Sequence, residues 1–104
     1  AREWNVVVVL KGAKTLIATP DGRLFVNPSG NPGMATGGSG DVLAGMIGAF
    51  MAQGLKPDAA AAAAVYLHGS SGDEAARVKG RMSLAAGDLI EFLPMALKEI
   101  ERAI

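Results

Sequence analysis

The chain has 104 residues, half of them hydrophobic, with ten basic side chains against ten acidic ones and no cysteine. That length allows one domain at most, and the composition and zero formal net charge exclude disorder, an acidic tail and a basic nucleic-acid surface. There is no disulfide framework and no thiolate metal site, no apolar run approaches the ~20 residues that span a bilayer, and the start, Ala1 to Asn5, lacks the form of a signal peptide. A cytoplasmic protein with neither membrane nor nucleic acid as partner is expected.

The first predicted element runs from Trp4 to Leu10, with Val6 to Leu10 as its heart. Five consecutive apolar, mostly β-branched residues are too many for a strand with one wet face. They predict a strand covered on both sides, as in the parallel sheet of an α/β protein. Lys11 to Lys14 form a turn at its carboxyl edge, where open α/β sheets hold ligands. Thr15 to Thr19 and Arg23 to Asn27 are two β-rich runs joined by Pro20-Asp-Gly22, which predicts a β-hairpin.

An irregular stretch from Asn27 leads into Asn31-Pro-Gly-Met-Ala-Thr-Gly-Gly-Ser-Gly-Asp41, the segment with the most chemistry in it. Its glycines let a backbone approach a ligand and turn successive N–H groups toward one point. A helix predicted from Asp41 to about Gln53 aims its own unpaired N–H groups and positive dipole end at the same point. Loop and helix together form an anion cradle, with phosphate as the usual guest. Asp41 stands out there, because a carboxylate repels phosphate: it either caps the helix, moves a proton or binds a metal. No Walker motif is present, since the lysines precede the glycines.

Val42, Leu43, Met46, Ile47, Phe50 and Met51 mark the buried face of that helix. Ala44, Gly45, Gly48, Ala49 and Ala52 leave a flank narrow enough for another backbone to pack close. Pro57 opens a second helix, with six successive alanines, that is predicted to end near Gly69. Ser71-Gly-Asp-Glu74 has the form of a capping box and predicts a third, short helix through Arg77. His68, near a predicted helix end, is expected to make a structural hydrogen bond or to meet the helix dipole. With no second histidine, a zinc site is not expected. Asp88 to Glu91 form a weaker cap. Pro94 starts a last helix with Leu97, Ile100 and Ile104 inward and Lys98, Glu99, Glu101 and Arg102 outward. Three strands cannot shield the valine strand or cover so many helices. Residues 1–104 are therefore expected to be the C-terminal portion of one larger α/β domain, prone to self-association and homo-oligomer formation.

Leu10-Lys-Gly-Ala-Lys-Thr15, Pro20-Asp-Gly22, the glycine-rich string ending at Asp41, Ala52-Gln-Gly54, His68-Gly69 and Asp88-Leu-Ile90 occur in an order that resembles the ADP-dependent NAD(P)H-hydrate dehydratases. These are carbohydrate-kinase-like members of the ribokinase-fold superfamily. The resemblance implies a three-layer α/β/α fold of which this chain is the C-terminal part, with one buried strand and a β-hairpin followed by several helices. It implies dehydration of the S-epimer of hydrated NADH or NADPH, with ADP or ATP as phosphoryl donor and Mg²⁺ as cofactor. Lys11, Gly12, Ala13, Lys14 and Thr15 match one nucleotide-contacting segment. Asn31, Pro32, Gly33, Met34, Ala35, Thr36, Gly37, Gly38, Ser39 and Gly40 match a second, with the glycines as anion hole. Asp41 matches the aspartate that contacts substrate and acts as base. The remaining partner it implies is the rest of the domain, or another chain. A vitamin-precursor or sugar kinase of the same superfamily, and a non-catalytic nucleotide-binding module, are the alternatives.

Overall fold

The computed structural model describes residues 3–11, 14–35 and 37–103, with the side chains of residue 32 and of 100–103 left aside. Strands β1 (Val8–Leu10), β2 (Thr15–Ala18) and β3 (Leu24–Asn27) form one antiparallel sheet in that order. The expected hairpin is there, with Ala18 opposite Leu24 and Thr15 opposite Asn27. Gly22 takes φ 90°, and the Gly22 N–H donates to the Thr19 carbonyl at 3.1 Å. The Arg23 guanidinium bridges Asp21 at 2.8 Å and reaches Asp58 at 2.6 Å, tying the turn to the helix beyond.

β1 differs from its expectation in length and direction. It pairs with β2 antiparallel, Val8 opposite Ala18 and Leu10 opposite Leu16. The connection between them is far shorter than the dozen or more residues a parallel crossover needs. Because β2 ends at Ala18, pairing stops at Val8 and does not extend back to Trp4, which is 79% exposed. The valine run is covered on one side only: Val7 and Val9 pack with buried Ile17 against the helices. Cross-strand partners share a face, so Val8, Leu10, Leu16, Ala18, Leu24 and Val26 make up the other face, entirely aliphatic. Leu10, Leu24 and Val26 are exposed there.

Helix α1 (Ser39–Ala52) starts two residues before Asp41. Leu43, Met46, Ile47 and Phe50 turn to the core, while Met51, expected with them, is largely exposed. The small-residue flank has no neighbour: a Cβ on Gly45 or Gly48 would meet no atom within 4 Å. Helix α2 opens at Pro57, as expected, and runs without a break to Lys79. The predicted stop at Gly69 and the capping box at Ser71 are both overturned. Gly69 and Gly72 stay helical and serve as notches: a Cβ on Gly69 would lie 2.8 Å from the Ser29 carbonyl carbon, and one on Gly72 2.7 Å from Met34 Cγ. Glu74 instead pairs with Arg77 at 2.9 Å, one turn on.

Helix α3 (Ala86–Glu91) begins before Asp88, whose carboxylate accepts the Ala85 N–H at 2.9 Å and the Lys79 ammonium at 2.7 Å. Helix α4 (Leu93–Ala103) buries Ala96, and Leu97 is largely exposed, contrary to expectation. Lys98 and Glu99 face outward as expected; Ile104 and the side chains of Ile100, Glu101 and Arg102 lie outside the described residues. Ala75, Leu84 and Phe92 form a second small core with Met34 against it. Among the described residues no helix is long and apolar enough to cross a membrane.

Candidate active site

The start of α1 is uncapped, as the expected anion cradle requires. Gly38 occupies the N-cap at φ 90° with no side chain capping the helix. The first bond inside the helix runs from the Val42 N–H to the Gly38 carbonyl at 3.1 Å. The amides ahead of Val42 belong to the first turn, where an α-helix offers no acceptor of its own. Only glycine takes φ 90° without strain, so Gly38 is needed for the turn itself. Gly37 and Gly40 are exposed for a different reason: a Cβ on Gly37 would touch nothing, and one on Gly40 would sit 3.5 Å from the Lys11 ammonium. That ammonium therefore hangs over the same turn as the amides. Gly33 belongs to packing, since a Cβ there would fall 2.9 Å from the Arg81 Cα.

Asp41 is exposed in this first turn and has no hydrogen bond or ion pair among the described residues. It does not cap the helix. Its carboxylate is available at the edge of the cradle.

Beneath the cradle lies a cleft of about 570 Å³. Of the residues matched to nucleotide segments, Lys11, Thr15, Asn31, Met34, Ala35 and Ser39 line it, joined by Asn27, Ser29 and His68. Gly37, Gly38, Gly40 and Asp41 are exposed at its edge, and Lys14 is exposed away from its lining. Gly12, Ala13 and Thr36, and the side chain of Pro32, lie outside the described residues. Ser39 is 2% exposed, and its hydroxyl has no partner among the described residues. A buried hydroxyl left unpaired costs free energy, which a polar guest in the cleft would recover.

His68 lies in the middle of α2, not at a helix end, and its Nε2–H donates to the Ser39 carbonyl at 3.0 Å. Burial holds its imidazole below the ordinary value, and the nearby Lys11 charge acts in the same sense, so it is the neutral tautomer that donates. Asn31 is already committed: its amide donates to Asp73 at 2.9 Å and its carbonyl oxygen accepts the Gly33 N–H at 3.0 Å. The residue that sequence reasoning missed is Asp73, which also accepts the Gly30 N–H at 3.0 Å. A second cleft of about 770 Å³ between β1 and the helices is larger, lined by apolar residues with Asp21, Arg23, Lys56 and Asp58 among them, and holds none of the residues matched to nucleotide segments. Among the described residues no three metal-ligating side chains gather.

A family model described as NAD(P)H-hydrate dehydratase matches residues 1–95. The chain belongs to that family. It is 58% identical, over its whole length, to a bifunctional NAD(P)H-hydrate repair enzyme of Moorella thermoacetica, and covers 20% of that protein. An ADP-dependent (S)-NAD(P)H-hydrate dehydratase of Neisseria meningitidis is 49% identical over 89% of the chain, which covers 31% of it. The crystal structure of the ADP/ATP-dependent dehydratase of Bacillus subtilis, co-crystallised with ATP and Mg²⁺, superposes with a TM-score of 0.86 at 40% identity. That match takes in 95% of this chain and 37% of the other. The chain thus spans about a fifth to two fifths of the relatives' lengths, and its sheet and helices are part of a carbohydrate-kinase-like α/β fold.

Proposed function

We propose that this chain supplies the phosphate cradle and the proton acceptor of an ADP- or ATP-dependent (S)-NAD(P)H-hydrate dehydratase. The observation that carries the reading is the uncapped start of α1, where the Lys11 ammonium lies over exposed Gly40 and where Asp41, exposed in the same turn, has no partner among the described residues. The amides and Lys11 hold the terminal phosphates and take up charge as it develops on them. Asp41 accepts the proton of the hydrate's hydroxyl as that oxygen attacks the terminal phosphorus and the bond to the donor breaks. Loss of the phosphate so formed, together with a ring proton, restores the reduced nicotinamide. Mg²⁺ is normally held by one or two carboxylates together with substrate phosphates. The described residues offer it no cage of three or more carboxylate or histidine ligands. The test uses the intact protein with hydrated NADPH and ADP: return of the reduced-nicotinamide absorbance is expected. A phosphorylated product without that signal overturns the reading in favour of a small-molecule kinase.

The wholly aliphatic outer face of the sheet supports a second part of the proposal. A sheet apolar on both faces belongs between two layers, and here only one is covered. The rest of the domain, which the longer relatives possess, covers the other. Residues 1–104 expressed alone should self-associate in sedimentation. Monomeric, cooperative unfolding would contradict this.

A further inference from the structure

We propose that His68 and Asp73 are positioning residues that clamp the two ends of the glycine-rich loop to α2. His68 fixes the exit, donating its Nε2–H to the carbonyl of Ser39, the first residue of α1. Asp73 fixes the entry, its two carboxylate oxygens accepting the Gly30 N–H at 3.0 Å and the Asn31 side-chain amide at 2.9 Å. Just ahead of the entry Gly69 admits Ser29, and between the clamps Gly72 admits Met34, so the chain lies on bare helix at both. At ~100° per residue, the four positions fall within about 140° of the helix circumference. One broad stripe of α2, made by His68, Gly69, Gly72 and Asp73, therefore templates the loop. Gly30 and Ser39 are the fixed ends of the glycine run, and Gly40 and Asp41 follow directly on the fixed exit, which is how a flexible run keeps one geometry without side chains of its own. This rests on the reading of α1 as a phosphate cradle.

The test is hydrogen exchange by mass spectrometry on the intact protein, first without ligand and then with ADP. Releasing either end lowers the free energy of local opening. His68→Leu and Asp73→Ala should each speed exchange across residues 30–41 about tenfold or more, and weaken ADP binding by a similar factor. His68→Gln returns an N–H close to the Nε2 position, so it should stay within about threefold of wild type in both measurements. Unchanged exchange in Asp73→Ala, an exposed site whose loss leaves the core intact, overturns the clamp, and so does failure of His68→Gln to rescue. If His68→Leu does not fold, these two variants still decide the matter. Should the wild-type protein show no ADP protection, the functional reading fails, while the ligand-free exchange still judges the clamp.

Discussion

Replacing Gly69 with alanine separates the two meanings a helix glycine can have. In an open helix the change stabilises by about 1 kcal/mol through propensity. At Gly69 the added Cβ falls 2.8 Å from both the carbonyl carbon and the Cβ of Ser29, so main chain has to move. Overpacking of this kind costs roughly 1–3 kcal/mol. The shift also disturbs the Ser29 hydroxyl, which donates to the Tyr66 carbonyl at 3.1 Å and accepts the Asn27 amide at 2.9 Å. Each such bond contributes about 0.5–1.5 kcal/mol. Set against the propensity gain, the net expectation is a loss of about 1–3 kcal/mol. Gly45→Ala, whose Cβ would meet no atom of another element within 4 Å among the described residues, is the comparison and should gain up to about 1 kcal/mol. Urea titration of both variants in the intact protein reads the difference. A Gly69→Ala protein as stable as wild type, or more so, would refute the notch and with it the close seating of the loop on α2.

Asp41→Asn should lower dehydration about 10²–10⁴-fold while nucleotide still binds; turnover within a few-fold of wild type would remove Asp41 as the base. Lys11→Met removes a charge-assisted contact worth about 1.5–3 kcal/mol, so ADP affinity should fall roughly 10- to 150-fold in a calorimetric titration. Burial lowers the His68 pKa, so the unfolded chain takes up its proton first as pH drops. The stability His68 contributes is present above its ordinary value of 6.5 and lost as pH falls below it, toward the folded value. His68→Gln should remove that part of the slope in denaturation between pH 7 and 5. The Lys79 ammonium and the Ala85 N–H lower the Asp88 pKa, so its contribution is present above about 3.8 and fades as pH falls further; Asp88→Asn should flatten that acid limb.

The start of α1 was partly legible because its chemistry is local. A glycine string running into a helix leaves first-turn amides without a helical acceptor, and Gly38 at the N-cap and Asp41 in the first turn fit that logic, although α1 starts at Ser39 and takes Gly40 into the helix. The hairpin was legible for the same reason, its turn chemistry lying in three residues. Long-range packing was not. Gly69 and Ser71 read as punctuation because a one-dimensional pattern does not tell a helix stop from a notch cut for another segment; Ser29 and Met34, about 40 residues away, make the difference. Asp73 looked like part of a cap for the same reason, when it serves a loop far upstream. The burial of Val6 to Leu10 was overstated, since none of the described residues covers the second face.

The central claim is that main-chain amides at the start of α1 hold the donor's phosphates beside Asp41. A crystal structure of the intact protein with ADP tests it most directly. The terminal phosphate oxygens are expected within about 3 Å of amides between Gly37 and Gly40, with the Asp41 carboxylate facing the acceptor side. Phosphates seated elsewhere, with those amides bonded to protein, would contradict it.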